Sequence, residues 1–381
     1  MLDVVLRQSA PIPLDVQLRC APGELLALVG PSGSGKTTVL RAIAGLVPVQ
    51  HGRVGLADET WFDSERGVSR PAQQRPVGMV FQSYALFPHL SALDNVALAV
   101  PRHAPPGVAM RLLVDMRLEG LAQRKPHELS GGQRQRLAIA RALARQPRLL
   151  LLDEAFSAVD QPTRQSLYEE LGALRKRVSL PIVMVTHDLR EARLLADRIC
   201  ILDAGATLQD GPPEQLMSRP RNARVAALVG LRDIQQGVFG RAERPGAMGR
   251  LQWGPAATGL TLSVLDKGRV HEGAAVRWVV SGEHVELDVV DTGRANVVPC
   301  RIERLHHLGE ITTLACRPIA VPQALVHLES TTQFVRRSNL LEGGAVYLAI
   351  AAAGIHIMPV RGTTATAAAA TTASATTMPA A

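Results

Sequence analysis

The sequence holds 381 residues, 46% hydrophobic and 20% charged, with a formal net charge of +8. A chain of this length buries a sizeable core and fits two globular domains of roughly 100–200 residues. Arginine supplies nearly all of the positive charge, spread along the chain without blocks and with few aromatics interleaved, so charge alone does not decide for nucleic acid or for an anionic membrane surface.

Cys20, Cys200, Cys300 and Cys316 lie far apart with no C-x-x-C pair. That argues against a zinc site and a disulfide framework, and suits a reducing cytosol. The opening "MLDVVLRQSAPIPL" lacks the basic start and long apolar run of a signal peptide. The longest apolar stretch, Ala345 to Met358, is interrupted by Gly354 and His356 and is shorter than the roughly 20 residues of a spanning helix. Membrane work is therefore expected only through partners.

From residue 1 to about 230, short apolar runs alternate with helical patterns, as in an α/β fold with a mostly parallel sheet. "LLALV", "VGMVF", "LLLLD", "PIVMVTH" and "RICILD" are the expected buried strands. After the first of these comes "GPSGSGKTTVL", Gly30 to Leu40, leading into a helical pattern with Leu40, Ile43, Ala44 and Leu46 on one side. Strand, glycine loop and helix in this order fit the phosphate-loop spacing. Gly30, Gly33 and Gly35 let the backbone curl, so that amides across Gly30, Pro31, Ser32, Gly33, Ser34 and Gly35 face inward on phosphate oxygens. The helix N-terminus, with Lys36, Thr37 and Thr38, adds partial positive charge. Lys36 would reach the β and γ phosphates, and the Thr37 hydroxyl would hold Mg²⁺.

Further along, "VFQSYALF" places Gln82 at a strand end, and "LSGGQRQRLAIARAL" opens a helix with Ser130, Gly131, Gly132 and Gln133, a second potential anion site. "RLLLLDEAF" follows: Asp153 emerges at the carboxyl end of a leucine strand, where α/β sheets place ligands, and can hold Mg²⁺. Glu154 comes next, placed to polarise an attacking water. "SAVD", ending in Asp160, and "VTHD", carrying His187, complete the order.

The stretch from Leu129 to Leu143 resembles the signature motif of ATP-binding cassette ATPases, and the order of the other motifs matches that family through residue 230. The resemblance implies that Gln82 reaches Mg²⁺ and the attacking water, that "SAVD" crosses a dimer interface, and that His187 contacts the γ-phosphate. It implies ATP and Mg²⁺ as cofactors, with Thr37, Gln82 and Asp153 as metal ligands. It also implies a head-to-tail homodimer in which Ser130 to Gln133 of one copy close over the other's phosphate loop. Two departures stand out: Ala155 replaces the proline common after the acidic pair, and the first 60 residues contain no Phe, Tyr or Trp to stack on adenine.

Around "RPRNARVAALVG", Arg219 to Gly230, a connecting helix marks a boundary. Residues 231–360 then read as a β-rich module, a small OB-like barrel or sandwich, and 361–381 as a disordered Ala/Thr tail. A cassette followed by such a module resembles the ATPase subunits of bacterial importers, peripheral on the cytoplasmic face of the inner membrane. Their partners are transmembrane permease subunits and, indirectly, an extracytoplasmic solute-binding protein; no nucleic acid is expected. The module looks most like that of molybdate-type oxyanion importers, with Arg304, His306 and His307 as candidate anion contacts; sulfate, iron(III) and polyamine remain alternatives. A soluble nucleic-acid-associated cassette is the reading from another class.

Overall fold

The structure is a computed structural model describing residues 1–156, 159, 161–244 and 246–360, without the side chains of 161–163, 174, 176 and 177. The expected tail at 361–381 and the proposed interface residue Asp160 lie outside the described residues. The chain divides into two units, Met1–Leu231 and Arg232–Ala381.

In the first unit the strands are β1 (Leu2–Gln8), β2 (Leu14–Cys20), β3 (Leu25–Val29), β4 (His51–Leu56), β5 (Glu59–Asp63), β6 (Val68–Ser69), β7 (Val77–Val80), β8 (Leu149–Asp153), β9 (Ile182–Thr186), β10 (Arg198–Asp203) and β11 (Ala206–Gly211). Its helices are α1 (Lys36–Ala44), α2 (Ala92–Ala97), α3 (Val108–Asp115), α4 (Gly131–Ala144), α5 (Gln161–Arg177), α6 (Leu189–Leu195), α7 (Pro213–Ser218) and α8 (Ala223–Leu228). The strands form one sheet in the order β6-β5-β4-β1-β2-β11-β10-β3-β9-β8-β7.

All five expected strands are present, and they are the neighbours β10-β3-β9-β8-β7, mutually parallel. Successive residues alternate between two apolar cores. Leu25, Ala27 and Val29 of β3 face one; Leu26 and Leu28 face the other. Leu150 and Leu152 of β8 likewise part company with Leu149 and Leu151. A strand covered on both faces has no polar face, which is why these segments read as unbroken apolar runs. The remaining half of the sheet is antiparallel except where β2 meets β11. β1 pairs antiparallel with β2 and β4, and β2 meets β11 at a single pair, Asp15 with Ala206. Short connections between alternating strands favour antiparallel pairing, so the sheet is mixed, not mostly parallel.

Helix α1 stops two residues before the apolar pattern does. Gly45 takes φ 76°, its N–H bonds Ala42 O at 3.0 Å and that of Leu46 bonds Arg41 O at 2.8 Å, a Schellman ending. Leu40, Ile43 and Ala44 are buried, but Leu46 falls beyond the cap and is 48% exposed.

The second unit is all β apart from α9 (Thr332–Arg337) and short 3-10 turns. Its strands are β12 (Gln235–Gly240), β13 (Met248–Trp253), β14 (Leu260–Leu265), β15 (Ala275–Val280), β16 (Val285–Asp288), β17 (Val297–Leu308), β18 (Ile311–Pro318), β19 (Val326–Thr331), β20 (Ala345–Ile350) and β21 (Ile355–Pro359). They make two antiparallel sheets, β14-β13-β12-β15-β21 and β16-β20-β17-β18-β19, closing in a partly barrel-like manner over one core. Trp253 and Trp278 meet edge to face at its centre, 4.9 Å apart. The apolar stretch from Ala345 to Met358 is the pair β20 and β21. Among the described residues no helix is long and apolar enough to cross a membrane.

Candidate active site

The loop after β3 is shaped by two glycines. A Cβ at Gly30 would lie 2.0 Å from Leu202 O of β10, so no other residue fits. Gly35, at φ 93°, is the N-cap of α1. It offers no side-chain cap and the first turn holds no acidic residue, so the leading N–H groups of α1 are left to a ligand or to water. Between them Ser34 N–H bonds Pro31 O at 3.2 Å, while Ser32 and Gly33 stand exposed at the crest.

Lys36 is buried, and its ammonium donates to Gly30 O and Pro31 O, each at 2.9 Å. Burial draws its pKa below the ordinary lysine value, against the opposing pull of Glu154 and Asp153. An ammonium has three donors, and two are used to hold the loop closed. Thr37 Oγ1 donates to Asp153 Oδ1 at 2.9 Å, bringing two of the three expected metal ligands together. Asp153 is buried at the end of β8, and that burial raises its pKa, while the Thr37 bond and Arg41 lower it. Thr38 sits half-buried on α1.

Glu154 follows with a left-handed backbone, φ 45°, and its N–H bonds Val185 O of β9 at 3.0 Å. The same carboxylate oxygen, Oε2, accepts from Gln82 Nε2 at 3.0 Å and meets His187 Nδ1 at 3.5 Å. Residues distant in sequence thus converge because β3, β9, β8 and β7 are neighbours with parallel carboxyl ends. Gln82, the third expected metal ligand, donates its amide N–H to Glu154, while the other two, Thr37 and Asp153, are bonded to each other.

Ser130, Gly131, Gly132 and Gln133 form the start of α4. Ser130 Oγ accepts from Gln133 N–H at 3.3 Å, and Gln133 Oε1 accepts from Ser130 N–H at 2.9 Å, a reciprocal capping box. Arg304, His306 and His307 do not assemble into an anion site. On β17, where successive side chains point to opposite faces, Arg304 and His306 share one face and His307 takes the other, its Nδ1 bonded to Thr312 Oγ1 at 2.8 Å, so the three do not converge on one point.

Three framework residues were not anticipated. Arg75, 3% exposed, donates to Ala42 O and Ile43 O at the end of α1. Arg141 of α4 donates to Tyr84 O and Ala85 O, where the backbone after Gln82 is left-handed, and lies 5.5 Å over the Phe87 ring. Glu191 is buried beside His187. Only Glu191 left a trace: Asp188 and Glu191 have the spacing of a helix-start capping pair.

The cradle suits a polyphosphate with a hard cation. Ser34 Oγ is buried with no partner among the described residues, the leading amides of α1 have no side-chain cap, and Thr37 with Asp153 supply oxygen donors of the kind Mg²⁺ takes.

Residues 14–157 match the ABC transporter family. Over its whole length but 1%, a solved dimeric cassette, MJ0796 bound to ADP and Pi in a post-hydrolysis state, is 32% identical to 56% of this chain, with a TM-score of 0.48. Residues 14–157 are an ABC transporter ATPase domain. The chain's cassette is also similar to the spermidine/putrescine import ATP-binding proteins PotA of Shigella boydii and of Escherichia coli K12. Each is 47% identical over 213 residues, 55% of either chain. The chain thus spans about half the length of these relatives.

Proposed function

We propose that the chain is the ATP-hydrolysing subunit of an importer, acting as a homodimer on the cytoplasmic face of the bacterial inner membrane against permease subunits. The observation that carries the reading is the single carboxylate oxygen of Glu154 facing both Gln82 and His187, beside the Thr37–Asp153 pair. The loop amides and Lys36 would bind the β and γ phosphates of ATP, with Ser34 Oγ turned into the same cradle. Thr37 and Asp153 would hold Mg²⁺, which neutralises charge on phosphate oxygens when bound. Glu154 would take the proton of the attacking water, a contribution of roughly 10²–10⁴ in rate, while His187 and Gln82 keep that carboxylate oriented. Ser130 to Gln133, whose capping box opens α4, would close from the partner copy.

For the solute, the names of the relatives favour a polyamine over the molybdate-type oxyanion expected from the C-terminal module, and His307, one of the three candidate anion contacts, is bonded to Thr312 on the face of β17 opposite Arg304 and His306. The test is reconstitution with the permease that copurifies from membranes. Putrescine or spermidine, with its binding protein, should stimulate ATP turnover, and molybdate should not. Stimulation by molybdate alone would reverse the solute assignment. Tight, salt-sensitive DNA binding without membrane association would replace the importer by the nucleic-acid class.

A further inference from the structure

Behind His187 lies a carboxyl that the proposed hydrolysis does not use. Glu191, in the first turn of α6, is 6% exposed. A glutamate at this place in a helix ordinarily reaches back to the N-cap N–H. Here the N-cap N–H, that of Asp188, is taken by Thr186 Oγ1 at 3.0 Å, and Glu191 turns inward so that its Oε2 accepts from the same Thr186 hydroxyl. Thr186 is the last residue of β9 and 2% exposed. Its hydroxyl therefore straddles His187, bonded to Glu191 on one side and to Asp188 on the other. Asp188 in turn accepts from Arg190 N–H at 2.8 Å and faces Arg164 of α5 at 3.8 Å. The backbone on both flanks of His187 is fixed, while its ring is 60% exposed and meets Glu154 Oε2 at 3.5 Å.

The other oxygen of Glu191, Oε1, is buried with no hydrogen-bond partner among the described residues. It belongs to a cavity of about 40 Å³ whose lining includes Glu154, Arg164, Thr186 and His187. A polar-lined space of this size holds a water. Burying a carboxyl without satisfying it is costly, so a sealed, half-satisfied glutamate next to a reacting pair calls for a role.

We propose that Glu191 is a positioning residue for His187, acting through the Thr186 hydroxyl and through a water in the cavity that joins it to the Glu154–His187 pair. The proposal rests on the reading of His187 as part of the hydrolytic site. The charged and titratable groups around Glu191 are Asp188 at the head of α6, His187 after β9, Arg164 and Tyr168 on α5, and Glu154 across the cavity. Burial pushes Glu191 up to about 7, with Asp188 acting in the same direction and Thr186, Arg164 and His187 opposing. Its proton therefore comes and goes near neutral pH, and the ring of His187 senses the change.

Two measurements on the full chain test this. In nucleotide-free protein, the His187 ring resonances, identified by their loss in His187→Gln, should show an extra inflection near pH 7 that Glu191→Gln removes. In turnover, Glu191→Gln keeps an acceptor for Thr186 and should stay within about twofold of wild type while losing that pH step; Glu191→Leu should lower kcat about 10-fold or more with KM changed less than about twofold. Identical His187 titrations in wild type and Glu191→Gln overturn the proposal, whether or not Glu191→Leu folds. A wild-type chain that turns over no ATP, yet shows the linked titration, removes the hydrolytic reading and leaves the positioning intact.

Discussion

At Glu154 the backbone adopts φ 45°, a conformation that costs a non-glycine residue about 1 kcal/mol or more and persists only where the surroundings over-determine it. The bond from its N–H to Val185 O and the contacts of its carboxylate with Gln82 and His187 do so here. Glu154→Gln preserves shape and removes the base: turnover should fall roughly 10²–10⁴-fold while equilibrium ATP binding, followed by fluorescence of a labelled nucleotide, stays within a few fold. Equal loss of both would assign Glu154 to binding. Lys36→Ala should abolish binding itself, because it removes the buried ammonium and frees the carbonyls of Gly30 and Pro31. Glu191 carries a stability signature as well. Its proton is held more tightly folded, at about 7, than at the ordinary value of 4.5, so stability declines as pH rises between those values and levels off above 7. Unfolding free energies from urea titrations at pH 5 and 8 should therefore differ more in wild type than in Glu191→Gln, by on the order of 2–3 kcal/mol. At this scale the sequence was readable where chemistry demands a residue type at a fixed offset, as from Gly30 to Lys36. It was silent on Arg75 and Arg141, whose partners are backbone carbonyls that leave no pattern.

Helix α4 carries the Ser130 cap at one end and, near the other, Arg141 clamping the loop that follows Gln82. Ser130→Ala removes one side of the capping box and should cost about 1 kcal/mol of stability. If Ser130 also closes over a partner's nucleotide, turnover should drop while ATP affinity of the single chain stays put. The segment between Gln82 and α2 depends on Asn95, which is fully buried, accepts from Phe87 N–H and donates to Phe87 O, Leu90 O and Ser91 O. Asn95→Ala should destabilise by about 2–4 kcal/mol and open residues 81–90 to limited proteolysis. The parallel strands were legible because two-sided burial writes a continuous apolar word. The end of α1 was not, since Leu46 continues the helical spacing and only the left-handed Gly45 reveals the stop.

Across the whole molecule, two units hold separate cores: the sheet-flanking pair in the first and the Trp253–Trp278 cluster in the second. Calorimetry on the full chain should resolve two transitions, with ATP and Mg²⁺ raising only one, because a ligand stabilises the unit it binds. A single transition shifted as a block would mean that the cores melt together. The change to β texture near residue 231 was visible in glycine-punctuated strands. The pairing order of the second unit's ten strands was not, because antiparallel neighbours are chosen by long-range packing and turn geometry, not by local period. β3, which carries the phosphate loop, lies between β9 and β10, made of residues 182–186 and 198–203. A growing polypeptide emerging from the ribosome therefore has the whole loop early but neither flanking strand until residues 182–203 are made. Non-local pairing of this kind is slow. Nascent chains stalled before residue 182 should fail to retain nucleotide, and competence should arrive abruptly once residue 203 clears the exit tunnel.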